Sequence, residues 1–197
     1  IIVPGSKSTL ADLYELRRNG VAQAIIRAHR AGKTILGICG GYQILGLEVS
    51  DPEGVEGDIA RLPGLGLLPI RTEMAGEKVT TQAQFTLLGD ETPCTGYEIH
   101  MGRTTREGEA EAQPLVRMAD GREEGCATSQ HCMGTYLHGI LDNAVFIERL
   151  LTPFAERIAT GAQPLDYEAF KQEQYDRLAA HLRQHVDLER IYQILGR

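Results

Sequence analysis

Apolar and polar positions alternate between two regimes along this chain. Ile1-Ile2-Val3 and Ile35-Leu36-Gly37-Ile38 are short apolar runs bounded by turn residues, the pattern of buried strands. The residues between them keep a helical period. Ser8 or Thr9 can cap a helix over Leu10 to Leu16. Asn19-Gly20 punctuates it, and Val21, Ala24, Ile25 and Ala28 carry a second helix that Gly32 ends. A third follows the Ile35–Ile38 run, from Gly40 to Leu47. This strand–helix–strand–helix order predicts a parallel sheet covered by helices.

The character changes downstream. Residues 50–64 read as a loop rich in Asp, Glu, Gly and Pro. Leu65 to Ile70, Lys78 to Leu88 and Thr95 to His100 read as strands, some of them alternating. Pro114 to Met118 and Cys126 to Ser129 flank Asp120-Gly121, a strong hairpin signal. Met133 to His138 is the final strand, and a helix is predicted over Ala144 to Ala159. In the tail, Tyr167 to Leu195, the residues Phe170, Gln174, Leu178, Leu182 and Val186 recur at i, i+4, with a break expected near Val186-Asp187-Leu188. The expected fold class is α/β: a mostly parallel sheet flanked by helices, with an additional antiparallel strand region. No internal repeat or low-complexity linker interrupts it.

Composition narrows this picture. A chain of 197 residues, 42% hydrophobic, suits one globular domain. Its net charge of −7 and lack of a Lys/Arg block give no electrostatic support to a nucleic-acid or anionic-membrane partner. No apolar run approaches the ~20 residues of a membrane span. Cys39, Cys94, Cys126 and Cys132 form no C-x-x-C pair, which fits free thiols in a reducing cytoplasm. The chain opens on what reads as a core strand, without an initiator Met, as expected of a piece of a longer polypeptide.

The candidate chemistry centres on Gly37-Ile38-Cys39-Gly40-Gly41, where a strand meets a helix. That is the layout of a nucleophile elbow with cysteine as nucleophile. The turn lifts the sulfur above the sheet and sets it at a helix N-terminus, where the dipole favours thiolate. A lone motif of this kind is more often a structural cysteine, so the partner base decides. His29 falls in a surface helix, His131 in a turn, and His181 and His185 on one face of the tail helix. His138 ends an apolar strand, where sites form in α/β sheets. It can take and return the proton that acyl transfer through Cys39 requires. The oxyanion of such a reaction needs N–H donors. Gly40, next after the nucleophile, is one; the Pro4-Gly5-Ser6 loop brings the second, from Gly5.

With these residues assembled, the sequence resembles the triad-type glutamine amidotransferases, and within them the cobyric acid synthase branch. The resemblance rests on four segments: Pro4-Gly5-Ser6-Lys7-Ser8-Thr9-Leu10-Ala11-Asp12-Leu13, the elbow from Gly37 to Gly46, Gly96-Tyr97-Glu98-Ile99-His100-Met101-Gly102, and Gly134-Thr135-Tyr136-Leu137-His138-Gly139. It implies a class I amidotransferase-like, flavodoxin-like fold in which Cys39 attacks the amide of glutamine to form a γ-glutamyl thioester. His138 would act as base and then acid, Gly5 and Gly40 as the oxyanion hole, and Gln43 as a contact to glutamine. His100 would shape the glutamine pocket or meet a synthetase domain. The resemblance further implies that residues 1–197 are the amidotransferase domain alone, without its first strands and without an N-terminal ATP-dependent synthetase domain. No cofactor is expected in this chain; ATP and Mg belong to that other domain, which would amidate corrinoid carboxylates. One departure is Ile140, where many relatives carry Glu two places after the histidine. This leaves a Cys–His dyad, with Glu98 and Asp142 as candidates to orient His138.

Three other readings compete. One is a different amidotransferase, such as a cobyrinic acid a,c-diamide synthase or a peptidoglycan-amidating enzyme. Another is a γ-glutamyl hydrolase of the same fold, which needs no ATP partner. The last is a redox-sensing or binding domain, in which Cys39 oxidises but does not acylate.

Overall fold

The computed structural model describes residues 1–108, 112–157 and 166–196. The chain falls into two units, residues 1–153 and 154–197. In the first, β1 (Ile2–Val3) is followed by α1 (Thr9–Arg18), α2 (Val21–Arg30), β2 (Ile35–Ile38) and α3 (Gly40–Leu45). Leu10 and Leu13 of α1, and Ala22 and Ile25 of α2, are buried at a spacing of three, so each helix presents one apolar stripe. Neither Ser8 nor Thr9 caps α1 with its side chain. The Glu56 carboxylate does so from a distant loop, accepting from the N–H of Thr9 at 2.6 Å and of Leu10 at 3.4 Å. Asp51 holds that loop by accepting from the N–H groups of Val55 and Glu56, each at 2.8 Å.

The strands that follow are β3 (Glu48–Ser50), β4 (Arg61–Pro63), β5 (Ile70–Leu87), β6 (Cys94–Arg106), β7 (Val116–Met118), β8 (Glu123–Glu124), β9 (Cys126–Ser129), β10 (Cys132–Thr135) and β11 (Leu137–His138). They form two sheets. The first has the order β1-β2-β10-β9, parallel across its first three strands, with β9 antiparallel at the edge. The second runs β11-β6-β5-β3-β4, with the β7–β8 ribbon joined to β5. It is antiparallel except where β3 meets β5, so the antiparallel region is the larger of the two. The Met133–His138 run is one strand in sequence and two in space: Thr135 ends in the first sheet, and Leu137 pairs with Glu98 in the second.

Three local expectations are corrected. Leu65 to Leu68 buries Leu65 and Leu68 but is not a strand. Its N–H groups turn to the end of α3, with Leu65 donating to Ile44 at 2.8 Å, Gly66 to Gly46 at 2.8 Å and Leu67 to Leu45 at 2.9 Å, carbonyls that a helix end leaves open. The 50–64 loop contains β3's last residue and β4. The Asp120-Gly121 hairpin forms, but it joins β7 to Glu123–Glu124, while Cys126–Ser129 pairs with β10.

Two clusters make the core. Leu13, Ile35, Leu45, Val49 and Ile70 anchor one; Leu36, Leu87, Leu137, Ile140 and Phe146 anchor the other. α4 (Ala144–Leu151) ends sooner than expected and passes into a 3-10 turn over Thr152–Arg157; the last residues of that expected helix lie outside the described residues. The second unit holds α5 (Tyr167–His185) and α6 (Leu188–Ile194), separated at Val186-Asp187 as the sequence predicts. Asp166 caps α5 by accepting from the N–H of Ala169 at 3.0 Å, and Asp187 caps α6 through Arg190 at 2.9 Å. No helix among the described residues is long and apolar enough to cross a membrane.

Candidate active site

Cys39 is the one residue other than glycine with positive φ among the described residues, at φ 54° and ψ −114°. Its neighbours hold this strained turn. The Cys39 N–H donates to the Thr135 carbonyl of β10 at 2.8 Å, and its own carbonyl accepts from the Gln43 N–H at 3.1 Å, opening α3. Gly41 allows the close approach beneath: a Cβ there would lie 1.9 Å from the Val3 carbonyl oxygen, against the end of β1.

Gly5 brings the remaining parts together. A Cβ on Gly5 would stand 3.3 Å from His138 Cε1, 3.5 Å from Cys39 Cβ and 3.9 Å from Cys39 Sγ. Cys39, His138 and the Gly5 loop thus meet at one point, although His138 lies far along the sequence from the other two. They open on a cleft of about 610 Å³, lined also by Gln43, Glu56, Tyr97, Ile99 and His100.

The sulfur is held as a thiol, donating to the Ile99 carbonyl at 3.2 Å. Burial pushes its pKa above the ordinary value. The Gly40 N–H works against this, and the Glu56 carboxylate adds to it. The helix N-terminus alone therefore does not make a resting thiolate; a base must take the proton as attack begins. His138 is placed to be that base. Its ring stacks on Tyr97, with centroids 5.1 Å apart and planes within 8°. Among the described residues its ring makes no hydrogen bond.

Glu98 does not orient it. His138 stands across from Tyr97, and Glu98 across from Leu137, so the carboxylate projects from the other face of the sheet. There Arg122 grips Glu98 at 2.7 and 3.3 Å. Asp142 lies beside Gly139 and makes no hydrogen bond to His138. Ile140 is wholly buried in the second core cluster. Arg122→Ala would leave the buried Glu98 carboxyl without its guanidinium partner. We expect a loss of about 2 kcal/mol in urea unfolding, less than a fully buried pair would give because the guanidinium is half in solvent. A variant as stable as the parent would show that the pair contributes nothing.

Gln43 is buried on the floor of the cleft with its amide already engaged. Nε2 donates to the Met101 carbonyl at 3.0 Å and to Tyr136 Oη at 3.1 Å, while Oε1 accepts from Thr9 Oγ1 at 3.0 Å. It braces α3 against β6 and lines the cleft. His100 forms part of the wall, stacked on Tyr136 at 3.8 Å, with Nε2 3.9 Å from Glu98 and Nδ1 buried without a hydrogen bond. Burial holds its pKa below the usual value, Glu98 opposing. Elsewhere, His131 Nδ1 meets Thr34 Oγ1 at 3.0 Å, and His181 and His185 stack on an exposed face of α5. The described residues contain no cluster of His, Cys, Asp and Glu able to hold a metal.

Residue-by-residue reading of the sequence missed Glu56, Tyr97 as the stacking partner of His138, and the buried Glu124. Tyr97 lies inside one of the four segments, and its strand alternation was the available signal. Glu56 and Glu124 carry no local signature.

Comparison with known proteins gives the family. The chain is 63% identical over 195 residues to cobyric acid synthase of Bacteroides fragilis, which covers 99% of this chain and 39% of the relative. For the cobyric acid synthase of Parabacteroides distasonis the figures are 54%, 98% and 39%. The chain thus spans about two fifths of the length of these curated relatives. A crystal structure of a glutamine amidotransferase superposes with a TM-score of 0.53 at 22% identity, over 79% of this chain and 76% of that one, and shares the fold. The model of the CobB/CobQ-like glutamine amidotransferase domain matches residues 1–146, and the chain belongs to that family.

Proposed function

We propose that the chain is the glutaminase part of a cobyric acid synthase. The observation that carries this reading is the meeting of Cys39, His138 and Gly5 in one cleft on a strained elbow. High identity to cobyric acid synthases across nearly the whole chain supports the substrate assignment.

The chemistry follows from the atoms present. The Cys39 thiol proton passes to His138 as Sγ attacks the side-chain carbonyl carbon of glutamine. A C–S bond forms, and the oxyanion is met by the N–H groups of Gly40 and Gly5. As the intermediate collapses, the C–N bond breaks and His138 returns the proton to nitrogen, releasing ammonia. Water then attacks the γ-glutamyl thioester, its proton taken by His138 and passed to the departing sulfur, to give glutamate. Gln43 and His100 shape the pocket.

Ammonia would go to an ATP- and Mg-dependent synthetase portion outside this chain, for amidation of corrinoid carboxylates. The sequence has no glycine–lysine phosphate loop. Four free cysteines fit a reducing cytoplasm. The test is intact mass after exposure to a diazo-ketone analogue of glutamine. One adduct on Cys39, absent from Cys39→Ala, is expected. A folded chain that takes no label, or labels elsewhere, would sink the reading.

A further inference from the structure

Three carboxylates are buried among the described residues. Asp51 closes the turn that carries Glu56, and Glu98 meets Arg122. The third, Glu124 of β8, has no part in the chemistry above, yet it grips the point where the chain crosses from one sheet to the other. Its Oε2 accepts from Thr135 Oγ1 at 2.6 Å, and its Oε1 from the Tyr136 N–H at 2.7 Å. Thr135 Oγ1 in turn accepts from the Leu137 N–H at 3.0 Å. The Thr135 carbonyl is the one that anchors the Cys39 N–H, and Leu137 leads directly to His138. His138 is therefore two residues from the Tyr136 N–H that Glu124 fixes, and the Cys39 N–H is bonded to the carbonyl of that same peptide unit.

We propose that Glu124 is a positioning residue for Cys39 and His138, acting through Thr135 and Tyr136 to set where the strand leaves the parallel sheet and hence where the imidazole stands over the sulfur. The inference rests on the reading of Cys39 and His138 as the reacting pair. No hydrophobic residue could replace this carboxylate, because the Thr135 hydroxyl and the Tyr136 N–H would be left buried without an acceptor. A misplacement of the base by about 1 Å is enough to cost roughly 100-fold in rate.

The surroundings add a pH signature. His100, Arg103 and Arg106 on β6, Arg122 and Glu123 at the start of β8, Glu53, Tyr42 on α3 and Tyr136 share with Glu124 a cavity of about 790 Å³, and the Glu98 carboxylate acts on Glu124 through its charge. Burial pushes the Glu124 carboxyl up to about 7; the bonds from Thr135 and Tyr136 oppose this, Glu98 adds to it and Arg122 opposes it. Ionised, both oxygens accept. Protonated at Oε2, the group must donate to Thr135, and the Thr135 hydroxyl must turn. A glutamine there copies the protonated arrangement at every pH: its amide nitrogen donates to Thr135 and its oxygen accepts from Tyr136.

The test measures the rate at which the diazo-ketone analogue of glutamine labels Cys39, across the neutral range, in the wild type, Glu124→Ala, Glu124→Gln and Thr135→Val. Glu124→Ala should label roughly 100-fold more slowly, and Thr135→Val roughly tenfold more slowly. Glu124→Gln should label readily, and the ratio of wild-type to Glu124→Gln rates should change through an inflection near 7. Thr135→Val and Glu124→Gln carry the test if the alanine variant does not fold. A folded Glu124→Ala or Thr135→Val that labels like the wild type, or a rate ratio flat with pH, overturns the inference while the active-site reading stands. A wild-type chain that takes no label overturns both.

Discussion

Cys39→Ala is expected to lower glutamine hydrolysis by this chain roughly 10^5-fold, and His138→Ala roughly 10^3-fold, with the double variant no worse than Cys39→Ala. The ordering comes from the geometry. Without Sγ no thioester can form, and only an oxyanion site and a bound substrate remain. Without the imidazole the sulfur remains, but burial holds it as a thiol above its ordinary pKa, so little thiolate is present at neutral pH. Loss of the base should therefore be partly recovered as pH rises, whereas loss of the sulfur should not. Glutamate release, followed with a coupled dehydrogenase across pH, reads both. Hydrolysis that survives in Cys39→Ala, or a His138→Ala variant with the parent's rate and pH profile, would remove the pair from the chemistry. Independent, multiplicative losses would show that the two do not act as a unit.

Gly41→Ala should be the most damaging Gly→Ala change among the described residues. Its Cβ would lie 1.9 Å from the Val3 oxygen, 2.5 Å from the Val3 carbonyl carbon and 2.8 Å from the Pro4 oxygen. All three are backbone atoms, so no side-chain rotation relieves the overlap. Either α3 tilts away from β1, or the Pro4–Ser6 loop moves, and that loop carries Gly5. We expect a loss of about 4 kcal/mol, at the high end for overpacking, and a fall in Tm of about 10 °C. Labelling of Cys39 by the glutamine analogue should fall with it. Gly76→Ala is the control, since its Cβ would meet nothing within 4 Å and it has no positive φ; it should sit within about 0.5 kcal/mol of the parent. A Gly41→Ala melt within a degree or two of the parent would show that the loop yields freely.

The parts of this fold that were legible in sequence are those whose signals are local. The Ile35–Ile38 strand, the elbow and the α1 and α2 helices announce themselves through short apolar runs, helical spacing and glycines, and the structure has them at those residues. Leu65 to Leu68 shows the limit. An apolar run says that a segment is buried, but not where its N–H groups go, and here they complete the end of α3. The cap on α1 shows it again. Serine and threonine stand at the expected place, yet the acceptor is Glu56, 47 residues from Thr9. In the site, Cys39 and His138 were readable because each ends a recognisable strand. Glu124 was not, because a glutamate beside a turn looks like a solvent-facing residue until the fold closes over it.

The split of the last strand has a mechanical consequence. Cys39 rides on the end of β2 in one sheet, and His138 on β11 in the other, with Tyr136 at the seam between them. The gap between sulfur and imidazole therefore works like the jaws of a caliper, with the angle between the sheets as its screw. Both hydrophobic clusters draw side chains from both sheets, so their packing is what locks that screw, and a substitution that loosened it would part the jaws before it unfolded the chain. Catalysis in such a molecule gauges the setting of the two sheets more finely than any measure of whether it is folded.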